Sequence, residues 1–218
     1  MNAELLSVLG DDLMVANCAR VSMAKHHETF DSDSDARLIN YLAREGHWTP
    51  FSQPQAQFRV QAPIFVARQW FRHTVGTTRN EVSRRYVDDE PKFFEPKEWR
   101  SRPEGNIKQG SGEPLTKQDQ SYLHYLLINI HERAIDGYRD MLIRGVAPEQ
   151  ARMILPQTMY TTWIETASLY YWARLCRLRL DAHAQQEIRE LAEDIAAALR
   201  QRFPVSWHAL IEFRGKHD

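Results

Sequence analysis

Seven apolar residues, Leu123, Leu126, Leu127, Ile130, Ala134, Tyr138 and Met141, recur at a 3.6-residue period along one segment. Side chains spaced this way line one face of an α-helix and cannot line one face of a strand. The segment therefore commits the chain to a helix of about five turns, and the rest of the fold must supply something for its apolar face to pack on. Further helical segments follow. "APEQARMILP" reads as a short helix bracketed by Pro148 and Pro156, and "SLYYWARLCRLRL" as another. "DAHAQQEIRELAEDIAAALRQRFP" opens on Asp181, stacks Ile188, Leu191, Ile195 and Leu199 on one stripe and ends at Pro204.

The first half is mixed. In residues 31–46 an Asp and Ser cluster offers N-cap oxygens, Leu38, Ile39 and Leu42 share a face, and Gly46 stops the helix. "QAQFRVQ" alternates, which puts Phe58, Val60 and Ala62 on one side of a strand. Pro63 suits a first helical position, so "PIFVARQWFRH" is expected to be helical up to a break at Gly76. "SRPEGNIKQGSGEP" reads as an irregular loop. With no repeat and no linker, the expectation is α+β: a single domain over residues 1–218, with a small antiparallel sheet and several long helices.

Composition narrows the function classes. A net charge of −1 on 218 residues argues against a surface built for nucleic acid or membrane. No apolar run reaches membrane-span length, and the start lacks a basic region and a cleavage motif. Cys18 and Cys176 lie far apart and match no metal pattern, which fits a reducing cytoplasm. There is no GxGxxG after a strand, no P-loop, no HExxH and no paired CxxC, so metal catalysis has no support.

Against this neutral background, "RQWFRHTVGTTRNEVSRRY" gathers Arg68, Arg72, Arg79, Arg84 and Arg85 around His73, Glu81 and Ser83. Arginine forks suit phosphate. Arg68 and Arg72, spaced i, i+4, would share a helix face, and amides around Gly76, Thr77 and Thr78 would help to hold an anion. The same residues also fit a solvated salt-bridge face, since "RNEVSRRYVDDE" is rich in acids. Ser83 lacks a His and Asp partner set for a triad. A second cluster, Arg177, Arg179, His183 and Gln185, is either a site, with Arg179 and His183 on one helix face, or a helix end followed by a new cap at Asp181. Trp163, Tyr170, Tyr171 and Trp172 suit either stacking on a flat cofactor or a core.

The ordered set "HWTPFSQ", "APIFVARQWFRHTVGTTRNEVSRRY", "ARMILPQTMYT" and "LRLDAHAQQEIRELA" resembles the flavin-dependent thymidylate synthases, the ThyX family, from about Ala19 to Pro204. The resemblance implies a homotetramer with shared active sites that methylates C5 of dUMP. FAD would be the cofactor, with NADPH and methylenetetrahydrofolate as co-substrates. By motif, Gln69, Arg72, Glu81, Ser83, Arg84, Arg85, Arg152 and Arg179 match nucleotide contacts. Arg179 matches the arginine that polarises the uracil ring. Ser22, Gln55, Arg72, His73, Thr74, Glu81, Ser168, Tyr170, Arg174 and His183 match the flavin-contacting set. A folate platform of His or aromatic side chains at the subunit junction is also implied.

This chain departs from the family pattern at defined places. Thr74 stands where the second arginine of Arg-His-Arg usually sits, and the spacer to Ser83 is one residue longer, with Arg79 as the candidate to restore the lost charge. Gln53 replaces a histidine, and Ser168 and Tyr170 replace an Asn and an Arg. The departures gather around flavin and folate, which leaves open a homolog that methylates UMP instead. A nucleotide- or RNA-binding module and a helical oligomer with structural ion pairs are the competing classes.

Overall fold

The computed structural model describes residues 1–87, 89–105 and 110–211. In chain order the elements are β1 (Asn2–Leu9), α1 (Asp12–Arg20), α2 (Ser34–Arg44), β2 (Gln55–Pro63), α3 (Ile64–Trp70) and β3 (Thr77–Glu81). Then come α4 (Lys117–Ile143), α5 (Pro148–Ala151), β4 (Tyr160–Ser168), α6 (Leu169–Arg179), α7 (Gln186–Arg202) and α8 (Pro204–Ile211). Short 3-10 turns occupy Val21–Met23, Pro50–Ser52 and Arg152–Ile154. The fold is α+β, and the strands form one antiparallel sheet in the order β1-β2-β4-β3.

Register decides what the sheet buries. Ala56, Phe58, Val60 and Ala62 of β2 stand opposite Ala167, Glu165, Trp163 and Thr161 of β4. Directly opposed residues share a face, and all eight of these are buried. β3 continues the rows, with Thr77, Arg79 and Glu81 opposite Ala167, Glu165 and Trp163. The inner face therefore carries a row that runs Phe58, Glu165, Arg79.

Helices cover the other side of the core. α7 packs on β1 and α6, and α8 lies among α2, α6 and α7. Trp70, Trp163, Trp172 and Trp207 are fully enclosed. Caps fix where helices begin. Asp11 accepts from the Met14 amide at α1, Thr116 from Asp119 at α4, and Ser168 from Tyr171 at α6. The α8 cap is tertiary: the Asp12 carboxylate, buried in α1, accepts from the amides of Val205 at 2.9 Å and Ser206 at 2.8 Å.

The alternating strand at β2, the stripe of α7 and the stop at Gly46 (φ +71°) follow the sequence reading. Several boundaries differ. Pro63 ends β2 rather than starting a helix, because its own residue still pairs with Tyr160. α3 stops at Trp70, so Arg72 lies past the helix and does not share a helical face with Arg68. Gly76 (φ +84°) turns the chain into β3, where Thr77 and Thr78 pair with β4 in the sheet ladder. α7 starts at Gln186, not Asp181, because the Asp181 carboxylate folds back on the His183 amide and closes a turn. α6 ends at Arg179, so Arg179 and His183 are not on one helix. Of the expected irregular loop, residues 101–105 and 110–114 are non-helical and tied by Ser101 to Glu113, while 106–109 lie outside the described residues. Among the described residues no helix is long and apolar enough to cross a membrane.

Candidate active site

β3 carries the site-forming residues along its length and past its end. Beyond its last residue, Glu81, the chain turns through Ser83–Val87, with the Ser83 carbonyl accepting from the amides of Tyr86 and Val87. That turn faces the 3-10 segment after α5 and the start of β4. Between them lies a cavity of about 550 Å³ lined by Glu81, Ser83, Arg84, Arg85, Arg152, Met153, Tyr160 and Thr161, among others. Five residues singled out from sequence motifs thus meet on one cavity. Three guanidinium groups against one carboxylate make it a basic cradle, suited to a phosphate. The polar atoms are held locally. Thr161 Oγ1 donates to Glu81 at 2.7 Å, Arg85 Nε to Ser83 Oγ at 3.2 Å, and Arg152 Nε to the Glu149 carbonyl at 3.2 Å, while Arg84 donates to the Asp89 carbonyl.

At the opposite end of β3 a second cavity, of about 300 Å³, is lined by Trp48, Ser52, Val75, Gly76, Ser168, Tyr170, Tyr171 and Arg174. Ser168, Tyr170 and Arg174 were expected to contact a cofactor. The rings of Trp48 and Tyr170 stand 6.0 Å apart at its edge. An aromatic wall with a hydroxyl and an exposed guanidinium suits a flat ring that carries phosphate. Gln55 is paired to Ser168 across the β2–β4 ladder, which brings it to the same end of the sheet.

Between the two cavities lies a buried polar network. The Glu165 carboxylate, with no exposed side-chain surface, accepts from Trp70 Nε1 at 2.8 Å, Trp163 Nε1 at 3.0 Å, Thr77 Oγ1 at 2.7 Å and Tyr171 OH at 2.5 Å. Arg79 Nη2 pairs with it at 2.8 Å, and also donates to the Tyr171 hydroxyl at 2.7 Å and to the His73 main-chain carbonyl. Arg179 Nε, at the last turn of α6, donates to His73 Nε2 at 3.0 Å.

Electrostatics follow from that packing. Burial, then the Arg179 and Arg79 cations, push His73 down to about 4, so the ring is neutral and its Nε2 lone pair is free to accept. Burial opposes the charge of Arg79, but the hydrogen bond and attraction of Glu165 outweigh it and hold its pKa above the ordinary arginine value. Burial lowers Arg179 and raises the Tyr171 hydroxyl. Burial also pushes the thiols of Cys18 and Cys176 up, away from thiolate chemistry.

The remaining expected residues are more dispersed. Gln69 sits half-buried on α3, and its side-chain carbonyl has no partner among the described residues. Arg72 and Thr74 are exposed on the α3–β3 connection that also carries His73. Ser22 is exposed on its 3-10 turn, where it donates to the Ala19 carbonyl. His183 is exposed beside Asp181. Neither Ser22 nor His183 lines the two cavities. Trp163, Tyr171 and Trp172 belong to the core. Sequence reasoning missed Glu165, Thr161 and the hydroxyls of Thr77 and Tyr171. The signal for Glu165 was there: an acid in a run of Thr and aromatic residues needs buried donors. Among the described residues, no group of three or more His, Cys, Asp or Glu is placed to hold a metal ion.

A family model described as "Thymidylate synthase complementing protein" matches residues 4–205. A flavin-dependent thymidylate synthase from Thermus thermophilus is 38% identical over 208 residues, 95% of this chain and 74% of the relative. One from Thermosipho africanus is 36% identical over 218 residues, 98% and 92% of the two chains. Among solved structures, a UMP/dUMP methylase, PolB, from Streptomyces cacaoi, bound with 5-Br dUMP, superposes with a TM-score of 0.86 at 30% identity, covering 97% of this chain and 94% of that one. The same methylase bound with 5-Br UMP gives 0.85 at 29% identity, covering 96% and 93%.

Proposed function

The chain belongs to the thymidylate synthase complementing protein family, and on that premise we propose that it methylates C5 of the uracil ring of dUMP, with FAD as cofactor. Methylenetetrahydrofolate supplies the carbon and NADPH the reducing equivalents. The observation that carries this reading is the convergence of Glu81, Ser83, Arg84, Arg85 and Arg152 on one basic cavity. In this reading the cradle takes the nucleotide phosphate, and Ser83 is a contact rather than a nucleophile.

Arg179 is the catalytic residue. Its Nε is spent on the neutral His73 ring, and its terminal nitrogens have no partner among the described residues. A cation held this way presents donors to a uracil carbonyl oxygen, and it favours the form of the ring in which negative charge rests on that carbonyl and on a deprotonated N3. Because the donors are already aimed, little reorganisation remains for the reaction step. Gln69, with its unpartnered carbonyl, and Arg72 are proposed as further ring contacts.

The cavity lined by Trp48, Ser168, Tyr170 and Arg174 would take part of a flavin, its ring with a neighbouring phosphate. The aromatic pair takes a ring face and Arg174 a phosphate, with Gln55, His73 and Thr74 beside them and Ser22 and His183 at longer reach; Glu81, in the cradle at the other end of β3, would meet a flavin held by another protomer. When bound, the flavin supplies hydride transfer, chemistry that needs no protein thiol.

Sites shared between subunits are part of the proposal. The two cavities have no lining residue in common. They lie at opposite ends of β3, roughly 13 Å apart at a strand's rise per residue, with the buried network between them. A homotetramer would bring one protomer's cradle to another's Arg179. The surface of α4 supports this. α4 buries His131, Ala134 and Tyr138 but leaves Tyr122, Tyr125, Leu126 and Ile130 exposed, at 64%, 68%, 42% and 46%, along one face.

A second reading has its own observation. The fold matches a methylase seen with both a dUMP and a UMP analogue, so UMP is the alternative substrate. Direct test: the purified protein should be yellow, NADPH should bleach it, and methylenetetrahydrofolate with dUMP should restore the colour. A colourless protein that FAD does not reconstitute would overturn the proposal.

A further inference from the structure

The arginine that follows the altered Arg-His-Arg motif does not face a ligand. Arg79 turns inward, and its charge is met by Glu165 directly across the β3–β4 ladder. A carboxylate with five donors and no exposed surface is an expensive thing to bury, and an apolar residue of similar size would serve stability as well or better. What the pair does achieve is fixed direction. Glu165, the Tyr171 hydroxyl and the His73 carbonyl all meet one terminal nitrogen of Arg79, Nη2, and the guanidinium stands over the Phe71 ring at 5.1 Å. Those bonds pin residues 71–73, which follow α3 without regular structure, to the sheet. The His73 ring then receives Arg179 Nε.

We propose that Glu165 and Arg79 are positioning residues: through His73 they fix the orientation of the Arg179 guanidinium, and Arg79 is not a flavin contact. The inference rests on the reading of Arg179 as the residue that faces the substrate ring. It assigns the extra spacer residue a role. The displaced charge of the motif is turned into the core, where it sets the His73 ring so that Nδ1 carries the proton and Nε2 accepts. Charged groups near His73 come from three elements, Arg174 and Arg179 on α6, Arg79 on β3 and Glu165 on β4, and Arg79 alone bridges its carbonyl to the sheet.

The test uses the flavin-loaded full chain. In the wild-type protein, nitrogen-15 NMR of labelled histidine should show His73 as the Nδ1–H tautomer. The Nε2–H tautomer there overturns the proposal without any variant. Arg79→Lys keeps a charge near Glu165, but its stem is one bond shorter than the path to Nη2, so its ammonium falls short of the point where Glu165, Tyr171 and the His73 carbonyl meet. The expected result is a fall in kcat of tenfold or more at little-changed nucleotide KM and unchanged flavin content, with a mixed His73 tautomer. Wild-type kcat with an unmixed tautomer would overturn the proposal, as would a loss that saturating FAD restores, since Arg79 would then be a flavin contact. Arg179→Ala separates the two layers. Full turnover there sinks the Arg179 assignment and this inference with it, whereas lost turnover there beside wild-type Arg79→Lys sinks the positioning role alone.

Discussion

Acidification should strain the protein at His73, and the size of the effect follows from its surroundings. The ring is held neutral to about 4 by burial and by the Arg179 and Arg79 cations, whereas an unfolded chain takes up the proton near 6.5. Above 6.5 both states are neutral and the full stability is present. As pH falls from 6.5 toward 4 the unfolded state binds the proton first, so stability is lost through that window and levels off below it. At pH 5 the difference amounts to about 2 kcal/mol by linkage, and partial solvent access of the ring reduces it toward about 1 kcal/mol. The assay is denaturant unfolding at pH 7 and pH 5 for the wild type and for His73→Gln, which cannot titrate. The wild type should lose about 1–2 kcal/mol more than the variant between the two pH values, a double difference that cancels every other titrating group. Equal losses, or a His73 NMR titration centred near 6.5, would refute the reasoning and with it the neutral acceptor assigned to Arg179.

Three further outcomes follow from other parts of the molecule. Asp12→Ala strips the amides of Val205 and Ser206 of their acceptor at the start of α8; calorimetry should show a loss of about 2–4 kcal/mol, and Asp12→Asn roughly half of that. Arg152→Ala removes one charge-assisted contact from the cradle, so nucleotide KM should rise roughly tenfold to a hundredfold with kcat less affected; an unchanged KM would remove Arg152 from the site. Tyr125→Asp with Ile130→Asp, on the exposed face of α4, should lower the mass seen by light scattering while circular dichroism stays the same, and an unaltered mass would rule that face out as a subunit contact.

The chain's residues made some of this legible and hid the rest for identifiable reasons. β2 and α7 were readable because apolar side chains fill nearly every inward position, so period and burial agree. β4 was not. Its inward positions are Thr161, Trp163, Glu165 and Ala167, while Ile164 points outward at 38% exposure, so the pattern runs against a simple apolar face. β1 lies at the sheet edge, has no fully buried residue and shifts register between Leu5 and Ser7. α8 was hidden by Pro204, read as a stop when it is also a helix start. The charged part of the cradle was legible because Glu81, Arg84 and Arg85 lie within five residues and only Arg152 joins them from elsewhere. The Glu165 network was not, because its donors come from positions 70, 77, 79, 163 and 171 and meet only when α3, β3, β4 and α6 are packed together.

The most direct test of the account is mass-spectrometric product analysis. The flavin-loaded protein would receive NADPH and methylenetetrahydrofolate, with dUMP and UMP in equal competition. The main product should be dTMP, and Arg179→Ala should abolish it. Methylated UMP as the main product would transfer the site to a ribonucleotide, and no methylated nucleotide from either substrate would contradict the assignment of the cradle and of Arg179 together.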